Sequence, residues 1–165
     1  AQESRGLGDV YKRQIYSSPM SQGTRCHQLA TYIVFDSPLV MLCDAPTAYR
    51  KEPECTRFIA GLPVVADETR ILQGKMGEYI VTARRGGEDW IVGGLTDWEA
   101  RTVDLDLSFL PEGMFRAEIF CDGINADKKG EDYRHEYRDV KREDRLKMQL
   151  APGGGFAIRL KKNHN

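Results

Sequence analysis

Two hydrophobic periods divide the chain. Between Gly23 and Leu62 the spacing is helical: Cys26, Leu29, Ala30 and Ile33 fall at i, i+3, i+4 and i+7, one face of a helix. That helix is expected to stop near Asp36, because the residue before Pro38 is pushed out of the α region. Leu39, Val40, Met41, Leu42 and Cys43 then form an apolar run without alternation, as a strand buried on both faces reads. The turn at Asp44, Ala45 and Pro46 closes the run. A second helix is predicted with Pro53 in its first turn, Cys55, Phe58 and Ile59 on its inner face, and Gly61 at its end.

After Pro63 the period becomes two. Tyr79, Val81 and Ala83 alternate with Ile80, Thr82 and Arg84, and a Gly86-Gly87 turn leads to Trp90, Ile91 and Val92, a hairpin signature. Val103, Leu105, Leu107 and Phe109 alternate with Asp104, Asp106 and Ser108. Phe115, Ala117 and Ile119 follow, then Leu146, Met148 and Leu150, then Phe156, Ile158 and Leu160. With Val64-Val65 and the stretch from Thr69 to Leu72, this predicts roughly seven or eight short strands in an antiparallel sandwich or barrel. The fold class is mainly β, preceded by a helix-strand-helix segment. A parallel strand needs parallel neighbours, and residues 15–62 supply none. That segment therefore reads as the end of a larger α/β body, with a boundary at Leu62 and Pro63 and the sandwich over 63–162. On this reading the apolar face of the first helix loses its seat. Residues 1–14 show neither an apolar period nor a capping pattern and are set aside as a non-native tail.

Composition narrows the function. Apolar residues at 41 % support a core, and a formal net charge of -1 argues against nucleic acid, whose phosphates call for a basic surplus. No stretch reaches the roughly 20 apolar residues of a membrane-spanning helix. The four cysteines (Cys26, Cys43, Cys55, Cys121) form no Cys-x-x-Cys pair, and His27, His135 and His164 complete no zinc spacing; buried thiols are expected, with a disulfide open if the protein is exported.

Several segments resemble glycoside hydrolase family 97. They are Gly23-Thr24-Arg25-Cys26-His27-Gln28-Leu29-Ala30, Ser37-Pro38-Leu39, the run from Met41 to Tyr49, and Glu52-Pro53-Glu54-Cys55-Thr56. Further on come Asp67-Glu68-Thr69, Gly77-Glu78-Tyr79-Ile80-Val81, the run from Asp104 to Leu110, the run from Asp122 to Asp127, and the run from Leu150 to Ala157. The resemblance implies an enzyme for α-glucosides or α-galactosides with an N-terminal β-sandwich, a (β/α)₈ barrel and a C-terminal all-β domain. It also implies calcium for the parent enzyme, an exported or periplasmic setting, and catalytic glutamates in earlier barrel strands, so that none maps onto this chain. The partners implied are the missing barrel and N-terminal domain of the same polypeptide, and an α-linked oligosaccharide for the parent. The segment 15–62 then becomes the end of the barrel.

Site candidates follow from position. Barrel sites lie at the C-terminal ends of the strands, so Asp44 would stand at the mouth, against the simpler reading of a turn carboxylate. Trp98, just past a strand end, is the aromatic placed to stack on a sugar, whereas Trp90 is expected in the core. Glycosidic cleavage needs two carboxyl groups facing one bond. Glu52, Glu54, Asp67 and Glu68 sit where dipole and turn effects already favour acids, and are read as structural. Asp122, Asn125, Asp127, Glu131 and Asp132 crowd one loop, but Ile124 occupies the third calcium-loop position, so a solvated loop is expected. The leading expectation is a support domain without chemistry of its own. The alternative is a carbohydrate-binding module, which would show two or three exposed aromatic rings on one sandwich face.

Overall fold

The computed structural model describes residues 23–37 and 46–163. The predicted strand through Leu39 to Cys43 lies outside them, as do Asp44, the tail 1–14 and His164. Three helices come first: α1 Arg25–Val34, α2 Pro46–Lys51 and α3 Pro53–Ala60. Eight strands follow: β1 Glu68–Lys75, β2 Tyr79–Gly86, β3 Asp89–Thr96, β4 Arg101–Asp106, β5 Phe115–Asp122, β6 Tyr133–Val140, β7 Arg145–Leu150 and β8 Gly155–Lys162.

The strands build an antiparallel sandwich. One sheet has six strands in the order β1-β2-β3-β8-β5-β6, and the other pairs β4 with β7. The period-two side chains meet between them: Val81, Trp90, Val92, Val103, Leu105, Phe115, Ile119, Leu146, Met148, Phe156, Ile158 and Leu160 share one core. Alternation is clean on β7, whose residues are exposed and buried in strict turn, because only one face of the small sheet meets the core. Trp90 is buried and meets Phe109 edge to face at 5.1 Å, as expected of a core aromatic.

Part of the second face of the large sheet is buried too. Cys26, Leu29 and Ile33 of α1 and Cys55 and Phe58 of α3 pack on Ile91, Phe120 and Ala157. The expectation that the α1 face would lose its seat is therefore corrected: Cys26, Leu29, Ala30 and Ile33 are all 0 % exposed. The physical reason lies in the strands. Ile91, Phe120 and Ala157 occupy the alternate positions of β3, β5 and β8, which point away from the sandwich core and are themselves apolar. Gly93 permits the close approach, since a Cβ there would lie 2.8 Å from Ile33 Cβ. Each large side chain sealed in this layer contributes about 1.5–3 kcal/mol.

Three local readings also change. Helix α2 begins at Pro46, which suits the first helical turn, where a turn was expected. Val64 and Val65 belong to no strand and are each 72 % exposed. Strand β6, which the period-two pattern does not mark, is an edge strand carrying charge on both faces.

Candidate functional site

The loop carboxylate Asp122 is no solvated residue. It ends β5 and is only 9 % exposed. Its Oδ1 accepts from the Thr24 hydroxyl at 2.6 Å, and its Oδ2 accepts from the Ala151 N–H at 2.9 Å and the Gly155 N–H at 3.0 Å. Burial pushes its carboxyl up to about 6 against the pull of these donors. Thr24 also caps α1 by accepting from the His27 N–H at 3.1 Å. Nearby, His27 Nδ1 lies 3.1 Å from the Gly154 carbonyl. One carboxylate thus joins the start of α1, the end of β5 and the β7–β8 turn. Asp132 shapes the neighbouring loop by accepting from the Asn125 N–H at 2.8 Å. Among the described residues no three His, Cys, Asp or Glu side chains gather as a metal would need.

A second network lies on the helix-bearing face. Glu118 of β5 accepts from Arg159 Nε at 3.1 Å, from Arg159 Nη2 and from the Tyr137 hydroxyl at 3.0 Å. Burial raises the Glu118 carboxyl, yet Arg159 and the other donors outweigh it and hold the group below the usual range. His135 stacks on Phe120 at 4.1 Å, with Nε2 3.2 Å from Glu118 and Nδ1 3.1 Å from Glu54 of α3. Arg25 of α1 reaches Glu52 at 3.0 Å.

The acids near the helices accordingly have structural partners. Glu52 and Glu54 tie helices together or to the sheet. Asp67 accepts from the Gly87 N–H at 2.7 Å, and Glu68 pairs with Arg70 and Arg85. The thiols of Cys26, Cys55 and Cys121 are buried and free, and burial pushes Cys55 up to about 11.

Trp98 sits on the β3–β4 turn, 62 % exposed, with its ring against Gly153. Tyr137 is half exposed on β6 and spends its hydroxyl on Glu118. Three steps of strand order separate β3 from β6, so these two rings do not form one platform. The residues that sequence reasoning missed as a set are Thr24, Glu118, His135 and Arg159. Nothing in their local spacing marks them, because their partners lie on other elements.

Fold and contacts together define an antiparallel β-sandwich with helices sealed onto its outer face. Residues 65–161 match the family described as "Glycosyl-hydrolase 97 C-terminal, oligomerisation", and the chain belongs to that family. Over 98 % of its length it is 58 % identical to a retaining α-galactosidase of Bacteroides thetaiotaomicron, covering 24 % of that protein. It is 30 % identical over 79 % of its length to a probable retaining α-galactosidase of Streptomyces bingchenggensis, covering 19 % of it. A glycoside hydrolase family 97 enzyme from Pseudoalteromonas sp. strain K8, solved in complex with acarbose, superposes with a TM-score of 0.86 at 37 % identity, over 89 % of this chain and 24 % of that one. The chain spans a quarter or less of the length of the curated relatives it matches.

Proposed function

We propose that this chain is the C-terminal part of a family 97 α-galactosidase, in which the sandwich supports the catalytic barrel and does no chemistry itself. The observation that carries this is the sealed layer: α1 and α3 spend their apolar faces on Ile91, Phe120 and Ala157 of the sandwich. Helices that belong to the end of a barrel would thereby fix the sandwich to it, with the division at Leu62 and Pro63. The α-galactoside substrate is taken from the relatives' names, and self-association from the family's description. Calcium and an exported setting, implied by the resemblance, would belong to the parent enzyme.

Retaining hydrolysis needs two carboxyl groups about 5–5.5 Å apart, free to act on one bond. The acids near the helices are instead committed to Arg25, His135, Arg70, Arg85 and the Gly87 N–H. The test is an assay of the purified 165-residue chain on nitrophenyl α-galactoside and nitrophenyl α-glucoside. No turnover is expected. Hydrolysis that follows the chain through successive columns would overturn the proposal.

A further inference from the structure

The outer face of the large sheet is covered only in part. Helix α1 crosses β8, β3 and β2, ending where Asp36 meets Arg84 at 3.2 Å. Beyond it, towards β1, the described residues leave the face exposed at Ile71. Antiparallel register sets Ile71 of β1 opposite Thr82, and sets Ile80 of β2 opposite Leu95 of β3. Val81 and Ala83, at the alternate positions, point into the sandwich core, so Ile71, Ile80 and Leu95 point outward. Ile71 is 71 % exposed, and Met76 in the β1–β2 turn is fully exposed. These four side chains line one shallow depression of about 560 Å³. Single apolar residues on a surface are ordinary, but a contiguous group marks a contact.

The border of this region is also incomplete. Arg84 is only 6 % exposed; its Nη2 lies 3.2 Å from Asp36 Oδ1, while its Nε has no hydrogen-bond partner among the described residues. Its ion-pair partner Asp36 is 86 % exposed on the side chain, so the pair lacks an outer wall. A buried guanidinium N–H without an acceptor is unfavourable until a neighbouring surface supplies one.

Resting on the reading of the chain as a C-terminal part, we propose that Ile71, Met76, Ile80 and Leu95 dock the catalytic body that precedes this region in the parent polypeptide. The exposed patch continues the surface already occupied by α1 and α3, through which the chain reaches the sandwich. The matched family is described as C-terminal and as one of oligomerisation, and about three quarters of the α-galactosidase relative lies outside the match. A second copy adding a strand at β1 fits less well. That edge carries a register break between Ile71 and Gln73 and the charges of Glu68, Arg70 and Lys75, devices that discourage edge pairing.

The test is a chimera in which this chain replaces the matched quarter of the Bacteroides thetaiotaomicron enzyme, made with Ile71, with Ile71→Glu and with Ile71→Leu. Each is heated and assayed on nitrophenyl α-galactoside, and the same variants of the isolated chain are followed by thermal unfolding and sedimentation. Ile71→Glu should leave unfolding of the isolated chain unchanged, because the side chain is already wet there. In the chimera it should speed thermal inactivation several-fold, and Ile71→Leu should restore the original rate. Equal inactivation rates for all three chimeras would overturn the docking surface. So would a Glu variant that alters only the sedimentation mass of the isolated chain, which would make a second copy the occupant. An unmodified chimera that folds without α-galactosidase activity would instead overturn the proposed function.

Discussion

The Thr24 hydroxyl donates to Asp122 Oδ1 at 2.6 Å across 98 residues of sequence, in a buried position. The other oxygen of the same carboxylate holds two backbone N–H groups of the β7–β8 turn. Asp122→Ala would strand three donors. With about 1–3 kcal/mol for each buried donor left unpaired, a loss of about 3 kcal/mol or more is expected in urea unfolding. Thr24→Val removes one donor and a helix cap and should lose about 1 kcal/mol. Equal stabilities for Asp122→Ala and the unchanged chain would show that the turn finds other acceptors.

Asp122 also predicts a pH dependence. Its carboxyl is raised to about 6 by burial, against about 3.9 in an unfolded chain. Between those values the folded state keeps a proton that the unfolded state has released. Its contribution to stability is therefore fully present below about pH 4, falls as pH rises towards 6, and is flat above. His27, lowered by burial, contributes in the opposite sense, with stability lost as pH falls below the unfolded histidine value of about 6.5. The difference between the unchanged chain and Asp122→Asn isolates the carboxylate. That difference should shift against the unchanged chain between pH 4 and about 6 in urea titrations.

Glu118 and Arg159 form an enclosed ion pair on the helix-bearing face, with side chains 12 % and 14 % exposed. Glu118→Gln leaves the guanidinium without its counter-charge and should destabilise the chain by about 3 kcal/mol. Arg159→Met added to it should lose less than the sum of the two single changes, because the second removes the stranded charge. Thermal melts of the four proteins complete the cycle, and strict additivity would count against a direct pair.

Removal of residues 1–62 uncovers Ile91, Phe120 and Ala157. Sequence reasoning alone favours the shorter piece as the more soluble, whereas the sealed layer makes the full chain the better behaved. The piece starting at Pro63 should bind more of a hydrophobic dye and sediment as larger species. A monodisperse short piece beside an aggregating full chain would reverse this.

Gly93→Val tests the helix seat directly. A Cβ at Gly93 already meets Ile33 Cβ at 2.8 Å and the Ala30 carbonyl at 3.1 Å, so a branched side chain must lift α1. Overpacking of this kind loses about 1–3 kcal/mol. Slower hydrogen exchange in α1 than in the unchanged chain would be inconsistent with the expected loosening.

The sequence by itself determined the elements whose neighbours differ in polarity from face to face. Val103 and Leu105 alternate with Asp104 and Asp106, and β4 has one wet and one dry face. Cys26, Leu29, Ala30 and Ile33 share a stripe, and all four are buried. Pro53 and Gly61 bracket α3, because proline fits a first turn and glycine a helix end. Strand β6 escaped notice because a sheet edge asks little of its side chains, and Arg134, Glu136 and Arg138 can stay in water while the backbone pairs with β5. Only the tertiary structure decided what covers each apolar stripe. The pattern of α1 says that one face must be dry, but not that the cover is the reverse side of β3, β5 and β8. Likewise Asp122 reads as a loop acid until the chain returns 29 and 33 residues later to give its carboxylate two backbone donors. Periodicity records the polarity of a surface, whereas burial and hydrogen-bond partners depend on which distant residues the fold brings against it.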